Sequence, residues 1–328
     1  MARSMRGYFL RKLVYLFITI LLIMTFNFIL FRVMPGDPIR LLFPRGASPE
    51  TLEEWRHLLG LDAPLFDQYI NYMVGMFTGD WGVSFKFSQR TPILDIIPPF
   101  LMKTLFLSGV GTVLAIVLGV IYGRECAWRK GKLFDRIGST VAVVFYSVPT
   151  FLFALFYIML FVYFFPGWPL SGATSPDTYF SQMNIFEQII DIAQHAFLPI
   201  MSLIIESLAG FALIVRSSLI DVLTEDYILT AEAKGLEGRD ILKKHAMPNA
   251  LLPVVAVIAL NVGWIVGGTV MIEYIFTYKG IGYLSWEAVL GYDYPLLQAV
   301  FFLEIIAVLV ANFIADILNF YLDPRVKI

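Results

Sequence analysis

Long apolar runs are the feature that most restricts how this chain can fold. A bilayer core about 30 Å thick requires about 20 mostly apolar residues per helix, and six such runs are present. The chain has 328 residues, of which 58% are hydrophobic and only 15% charged, which is too apolar for an ordinary soluble globule. We therefore predict an all-α polytopic membrane protein with six transmembrane helices. The runs lie at about 9–33, 100–122, 137–165, 195–215, 251–276 and 296–321.

Lys and Arg are distributed unevenly between the segments that join these runs. One set of segments holds four in the N-terminal stub, five in 123–136, five in 216–250 and two in the tail. The opposite loops hold six, or eight with Arg32 and Lys103. Because Lys and Arg near helix ends are retained on the cytoplasmic side, we expect a multi-pass protein of the cytoplasmic (inner) membrane with both termini in the cytoplasm.

The segment between the first two runs, 34–99, is too long for a simple connection. Ser48 can cap a helix there, and Pro49 can occupy its first turn. A small extracytoplasmic element is therefore expected after the first helix. The predicted organisation is a stub and first helix (1–33), this element (34–99), a five-helix core with its inner segment 216–250 (100–322), and a cytoplasmic tail (323–328).

The inner segment 216–250 is polar and rich in helix-forming residues. A glycine turn around Gly235 divides it. The pattern predicts two short helices, at about 227–234 and 239–246, with the second ending before Pro248.

The first of these helices carries small side chains at Thr230, Ala231 and Ala233. Small residues permit close approach by another surface, so the segment is a candidate docking element. The alternative is a pair of helices lying on the lipid headgroups, although its apolar residues are few for that arrangement.

The same segment has an ordered pattern of acidic, aromatic, small and glycine residues followed by a histidine and an asparagine. It resembles the cytoplasmic "EAA" loop of permease subunits of ABC importers, in the dipeptide/oligopeptide branch that also includes oligosaccharide and nickel permeases. One departure is Leu229, where the general motif has an acidic residue; the peptide branch commonly lacks that acid too. The positions that carry the likeness are Asp226, Tyr227, Thr230, Ala231, Ala233, Lys234, Gly235, Leu236, His245 and Asn249.

The resemblance extends over nearly the whole chain and implies a type I ABC transporter fold. Similar short motifs occur at 34–38 (MPGDP), 79–82 (GDWG), 147–149 (SVP), 280–282 (GIG), 293–295 (DYP) and 323–325 (DPR).

The resemblance also implies partners. A permease of this kind pairs with a second permease, identical or not, and with two ABC ATPase subunits whose surface groove receives the short helix of the loop. An extracytoplasmic solute-binding protein delivers the substrate, which we expect to be a peptide or an oligosaccharide, with nickel complexes also carried in the branch. The chain has no GxxxxGK[ST] phosphate loop, so we expect a noncatalytic subunit without a cofactor, and ATP and Mg²⁺ on the partner ATPases.

Four carboxylates fall inside predicted crossings. A charged Asp at mid-helix costs about 2.5–3.5 kcal/mol on insertion scales, so these side chains should face protein or a wet path. Glu206 is the candidate for the translocation path, with a helix-packing group as the alternative. We expect Glu273 to serve packing or gating, and Asp316 to make an interhelical hydrogen bond; Glu304 is the fourth carboxylate.

Pro149, inside the third run, lacks a backbone donor and is expected to bend that helix. The bend either helps a gate in the translocation path or only shapes packing.

Other functional classes have less support. With 24 Lys and Arg against 26 Asp and Glu, no basic excess indicates nucleic acid. His57, His195 and His245 show no ligand spacing for a metal, and one cysteine, Cys126, forms neither a disulfide framework nor a cysteine cluster. Two alternatives remain: an ion-gradient-driven carrier, which should show internal repeats, and an intramembrane enzyme using Glu206 or Asp316.

Overall fold

A computed structural model describes the backbone of residues 5–33, 39, 46–58, 60–85 and 91–322. The MPGDP motif at 34–38, the tail at 323–328 and the basic residues at 3, 40, 45, 86 and 90 lie outside the described residues.

The described residues form helices and no strand, apart from one isolated bridge between Val83 and Pro92. This agrees with the predicted all-α class. In chain order the elements are α1 Met5–Val33, α2 Pro49–Leu58, α3 Leu65–Thr78, α4 Ile93–Trp128, α5 Leu133–Ser147, α6 Thr150–Phe164, α7 Asp177–Phe180, α8 Ile185–Val222, α9 Asp226–Ala233, α10 Gly238–Asp240, a π-helical turn Ile241–Ala246, α11 Met247–Ala250, α12 Leu252–Gly267, α13 Val270–Ile275, α14 Ile281–Leu290 and α15 Tyr294–Leu322.

Five stretches of the described chain are long and apolar enough to cross a bilayer. The third predicted run, expected as one bent helix, consists of α5 and α6 meeting at 97°. Val148 is extended at this break (φ −88°, ψ 125°) because a residue before proline is disfavoured in the α region. The number of spans is therefore five, or six if the bent pair counts as one. The five are Phe9–Arg32, Ile93–Trp128, Ile185–Val222, Leu252–Ile275 and Tyr294–Ile317.

The two longest helices, α4 and α8, pack closely along a line of small residues. A Cβ atom added at Gly119 would lie 2.8 Å from the Leu208 carbonyl oxygen, and one at Gly123 would lie 2.9 Å from the Val215 Cβ. Close helix approach of this kind is typical of membrane bundles. Small side chains there let two backbones come near enough for tight van der Waals packing.

The start of α8 is set by its sequence. Asn184 Oδ1 accepts hydrogen bonds from the amides of Phe186 (2.9 Å) and Glu187 (3.0 Å), while Glu187 Oε2 accepts one from the Asn184 amide (2.9 Å). This reciprocal capping box satisfies N-terminal amides that a helix leaves unpaired. It fixes where α8 begins, and α8 continues without a break to Val222.

The element after α1 contains α2 and α3. As predicted, α2 begins at Pro49, and Ser48 Oγ accepts a hydrogen bond from the Thr51 amide at 3.2 Å. Two phenols of α3 bond to α1, since Tyr69 lies 2.8 Å from the Thr25 hydroxyl and Tyr72 accepts from Asn27 at 2.9 Å. These bonds attach the element to the first helix.

Candidate functional site

The segment between α8 and α12 folds against the ends of α4 and α8. Its first helix, α9, buries Ile228 and Ala231, which are 1% and 6% exposed, in a cluster that includes Ala127 of α4 and Leu219 of α8. Ala231, expected on the docking face, therefore points inward. The other predicted positions of α9 and its turn are exposed: Asp226, Tyr227, Thr230, Ala233, Lys234, Gly235 and Leu236.

The turn after α9 is closed by backbone hydrogen bonds. The Leu236 amide donates to the Ala231 carbonyl at 3.3 Å, and the Gly235 amide donates to the Glu232 carbonyl at 2.9 Å. Gly235 has φ +77°, a conformation that glycine adopts without penalty. This pattern is the Schellman motif, and it holds the exposed end of α9 in one geometry.

The second helical piece differs from the prediction because it does not end before Pro248. It runs through a π-helical turn, Ile241–Ala246, into α11, which includes Pro248 in its first turn. The Met247 amide donates to the Leu242 carbonyl, five residues earlier. A wider turn before a proline relieves the clash between its ring and the preceding turn, so the helix continues.

Polar side chains lie where the two pieces meet. Asn249 Nδ2 donates to the His245 carbonyl at 2.8 Å within the second piece. Partial burial raises the pKa of the Tyr227 phenol of α9, and the nearby Asn249 side chain opposes the rise. Tyr227 of α9 thus lies near Asn249 of the second piece, 22 positions later in the sequence.

A partly buried ion pair lies near the start of α5 and the end of α8. Arg216 of α8 donates from Nε to Asp135 Oδ1 (2.6 Å) and from Nη2 to Oδ2 (2.9 Å). Asp135 also accepts from the Gly131 amide at 2.9 Å and the Ser139 hydroxyl at 3.0 Å, and its side chain is 3% exposed. The pair fastens α5 to α8. Sequence reasoning counted Arg216 only as a basic residue near a helix end.

Glu206 lines a cavity of about 240 Å³ within the bundle. Tyr146 of α5 and Asn261 of α12 line it too, and neither was predicted. The Tyr146 ring packs over Gly210, where an added Cβ would lie 3.0 Å from Cε2. Pro149 caps α6 at the bend, three residues after Tyr146, and is not among the lining residues. Glu206 and Pro149, the two residues predicted for the translocation path, therefore lie near the same helix break, but only Glu206 lines the cavity.

Glu273 has no exposed surface and its carboxylate is fully engaged. Oε1 accepts from the Thr104 hydroxyl at 2.9 Å, and Oε2 accepts from the Tyr283 amide at 2.9 Å. Thr104 in turn accepts from the Ile281 amide at 2.7 Å. The carboxylate ties α13 to α4 and to the start of α14, which is a packing role.

The other two membrane carboxylates have different surroundings. Glu304 lines a separate apolar cavity of about 410 Å³ beside Gly267. Asp316 accepts from Lys12 Nζ at 2.5 Å, which joins α15 to α1 and confirms the predicted interhelical bond. Within the described ranges, no three His, Cys, Asp or Glu side chains are grouped so that they could hold a metal ion.

Comparison with known proteins identifies the family. The family model described as "binding-protein-dependent transport system inner membrane component" matches residues 111–328, and the corresponding N-terminal model matches residues 5–95. The chain belongs to this family. The predicted likeness to ABC importer permeases of the dipeptide/oligopeptide branch is confirmed.

Relatives of this permease align over almost its whole length. It is 33% identical over 323 residues to the oligopeptide transport system permease protein AppB of Bacillus subtilis, covering 98% of this chain and 100% of AppB. It is 33% identical over 320 residues to the dipeptide transport system permease protein DppB of Escherichia coli K12, covering 93% of each. It is 32% identical over 323 residues to the glutathione transport system permease protein GsiC of Shigella flexneri, covering 98% and 99%.

A solved structure has the same fold. Inward-facing structures of the MetNI methionine ABC transporter contain a chain that superposes on this permease with a TM-score of 0.53 and 18% identity. The match covers 69% of this chain and 95% of that one.

Proposed function

We propose that this chain is the noncatalytic permease subunit of an ATP-driven importer that carries peptides across the inner membrane. The observation that supports the proposal most directly is α9, a short exposed helix held rigidly against the ends of two long membrane helices. The relatives are named as permeases for oligopeptides, dipeptides and glutathione, so we favour peptides over oligosaccharides.

In this proposal α9 docks on an ATPase subunit. Thr230 and Ala233 are small and exposed, so a partner surface can approach the helix backbone closely. On the opposite side, Ile228 and Ala231 pack against α4 and α8. A movement imposed on α9 would therefore pass directly to two helices that run through the bundle. ATP binding changes the conformation only if the ATPase contacts differ between the two states, and α9 is where they would differ.

The assembly in this proposal contains two permeases, two ATPase subunits and an extracytoplasmic solute-binding protein. ATP and Mg²⁺ are bound by the ATPases. Both termini and the segment 216–250 lie in the cytoplasm, while the element containing α2 and α3 faces the binding protein.

The translocation path passes the cavity at Glu206. Its wall combines a carboxylate with Asn261 and Tyr146, which suits the ammonium and amide groups of a peptide. Pro149 acts through the break between α5 and α6, because a change in the 97° bend would move Tyr146.

The docking proposal is tested with Ala233→Trp. Position 233 is exposed, so an indole there should leave the fold intact while it blocks close approach of the ATPase. We expect the variant to lose copurification with the ATPase subunits and ATP-driven peptide uptake in proteoliposomes. Lys130→Trp, at another exposed position of the same end of the bundle, is the matched control and should retain both. Uptake by the chain alone under an ion gradient would instead support a carrier.

The role of Glu206 is tested separately with Glu206→Gln. Uptake of a lysine-containing peptide should fall far more than uptake of a neutral peptide of equal length, because only the charge is removed. Glu304→Gln, in a different cavity, is the control. Equal loss of both substrates would remove Glu206 from substrate recognition.

A further inference from the structure

A basic cleft of about 1,260 Å³ lies beside the segment 216–250, between the end of α4 and the second helical piece. Its walls include five cations and two carboxylates. They are Arg124, Arg129, Lys132, Arg239 and Lys243, with Glu125 and Asp240.

Both carboxylates already accept hydrogen bonds from cationic side chains. Glu125 accepts from Arg124 at 2.7 Å and from Arg129 at 3.2 Å. Asp240 accepts at 2.8 Å from Lys244, which is not among the lining residues. In the part of the chain that the structure describes, Lys132, Arg239 and Lys243 make no ion pair. The cleft therefore presents an excess of positive charge to whatever enters it.

Trp128, which lines the cleft at the end of α4, packs against the start of the second helical piece. A Cβ added at Gly238, the first residue of α10, would lie 3.2 Å from Cη2 of Trp128, so the two walls already touch there. The Arg129 guanidinium lies 4.7 Å from the centre of the Phe134 ring, an arrangement that favours a cation over an aromatic face. The site is thus present without a ligand.

An apolar strip leads away from the cleft along α5. Leu133 lines the cleft, and Ile137, Val141 and Val144 follow it at helical spacing on the same face. All four side chains are between 38% and 73% exposed. Trp128 and Phe134, both more than 40% exposed, are aromatic residues of the kind that collect at the headgroup level of membranes.

We infer that this cleft binds the phosphate headgroup of an anionic phospholipid, whose acyl chains lie along the α5 strip. A soluble anion would use the cations and leave the strip uncovered, whereas a phospholipid matches both parts. Guanidinium and ammonium groups bind phosphate through charge-assisted hydrogen bonds, and basic pockets between membrane helices are typical headgroup sites.

The test uses the full chain purified in a mild detergent. Native mass spectrometry should show phosphatidylglycerol binding about tenfold or more tightly than phosphatidylcholine. Arg239→Gln/Lys243→Gln should abolish most of this preference, since each basic residue near an anionic surface contributes several-fold to affinity. Lys130→Gln/Arg136→Gln removes the same charge from exposed positions outside the cleft and should retain it. If the first double variant does not fold, Lys243→Gln alone should show a smaller loss of the same preference.

Three results would overturn the proposal. Equal lipid preference in the two double variants would mean that the cleft is not the site. Displacement of the lipid by an equal concentration of glycerophosphoglycerol or inorganic phosphate would assign the cleft to a soluble anion. Loss of bound phosphatidylglycerol when the chain is copurified in its transporter complex would assign it to a protein contact.

Discussion

The turns of this permease at Gly235 and Gly280 look similar in sequence, but their glycines have different surroundings. At Gly235, after α9, an added Cβ meets nothing within 4 Å, and the backbone has φ +77°. At Gly280, before α14, φ is −106°, and an added Cβ would lie 2.6 Å from Glu273 Oε2. The first glycine is needed for its backbone conformation, and the second for the space it leaves to a buried carboxylate.

This difference separates two kinds of site. The turn at Gly235 belongs to an exposed segment that is available to a partner, so substitutions there should affect function more than folding. The junction around Glu273 belongs to the interior, so substitutions there should affect folding first. Substitutions in the two regions should therefore differ in whether they affect melting or transport.

Gly280→Ala should have the largest effect on stability. The new methyl group would overlap Glu273 and Thr104, and neither can move without losing its hydrogen bonds. Overpacking of a well-packed interior costs about 1–3 kcal/mol and occasionally more, and the disturbed hydrogen bonds of Glu273 and Thr104 add to that cost. Thermal unfolding of the detergent-solubilised chain measures it. Gly109→Ala, in α4 where an added Cβ meets nothing within 4 Å, should be neutral, and similar melting of the two variants would contradict the crowding argument.

Glu273→Ala should come next, because it leaves the Thr104 hydroxyl and the Tyr283 amide without their acceptor. Each orphaned buried donor costs about 1–3 kcal/mol. Glu273→Gln should cost less, since one acceptor oxygen remains for Thr104. Melting temperatures in the order wild type, Gln, Ala are expected. The same Glu→Gln change at exposed Glu232 of α9 should not shift melting; a shift as large as that of Glu273→Gln would count against the separation of the two regions.

Gly235→Val should lower stability less than Gly280→Ala or Glu273→Ala, and it should impair ATP-driven uptake more. A non-glycine residue in the left-handed region costs about 1–2 kcal/mol, and a β-branched side chain fits it poorly. The Schellman turn would open and the exposed end of α9 would change direction. We expect a small loss in melting temperature together with loss of ATP-driven uptake. Gly235→Asn, which tolerates positive φ better, should retain uptake, and normal uptake by the Val variant would show that the turn geometry is not required.

Much of this fold could be predicted from local patterns. Apolar runs of sufficient length predicted the membrane helices, and the Gly235 turn predicted the two helical pieces of the segment 216–250. What could not be predicted depends on contacts between distant residues. Arg216 and Asp135 are 81 positions apart, and Thr104 and Glu273 are 169 apart; no periodicity in the chain indicates which carboxylate meets which donor.

Two differences concern the proline positions and have a physical explanation. Pro149 was expected to bend one helix, and the chain does bend there by 97°, but it does so as two separate helices because the residue before the proline is extended. Pro248 was expected to end a helix and does not, because the π-helical turn before it makes room for the ring. From the sequence, a proline indicates only that a backbone N–H donor is missing and that φ is fixed. Whether the chain breaks or continues depends on the turn before it.

The smallest effect is expected at the exposed ion pair of the segment 216–250. Lys244 Nζ lies 2.8 Å from Asp240 Oδ2, and both side chains are about half exposed or more. Solvent and salt screen such pairs, so Lys244→Gln should produce no measurable change in melting temperature at any ionic strength. Arg216→Gln is the contrasting variant, because it removes the cation from a carboxylate that is 3% exposed and leaves that charge buried. If both substitutions lowered the melting temperature equally, the exposed segment would contribute as much to stability as the interior. Its assignment as a surface free to receive a partner would then be wrong.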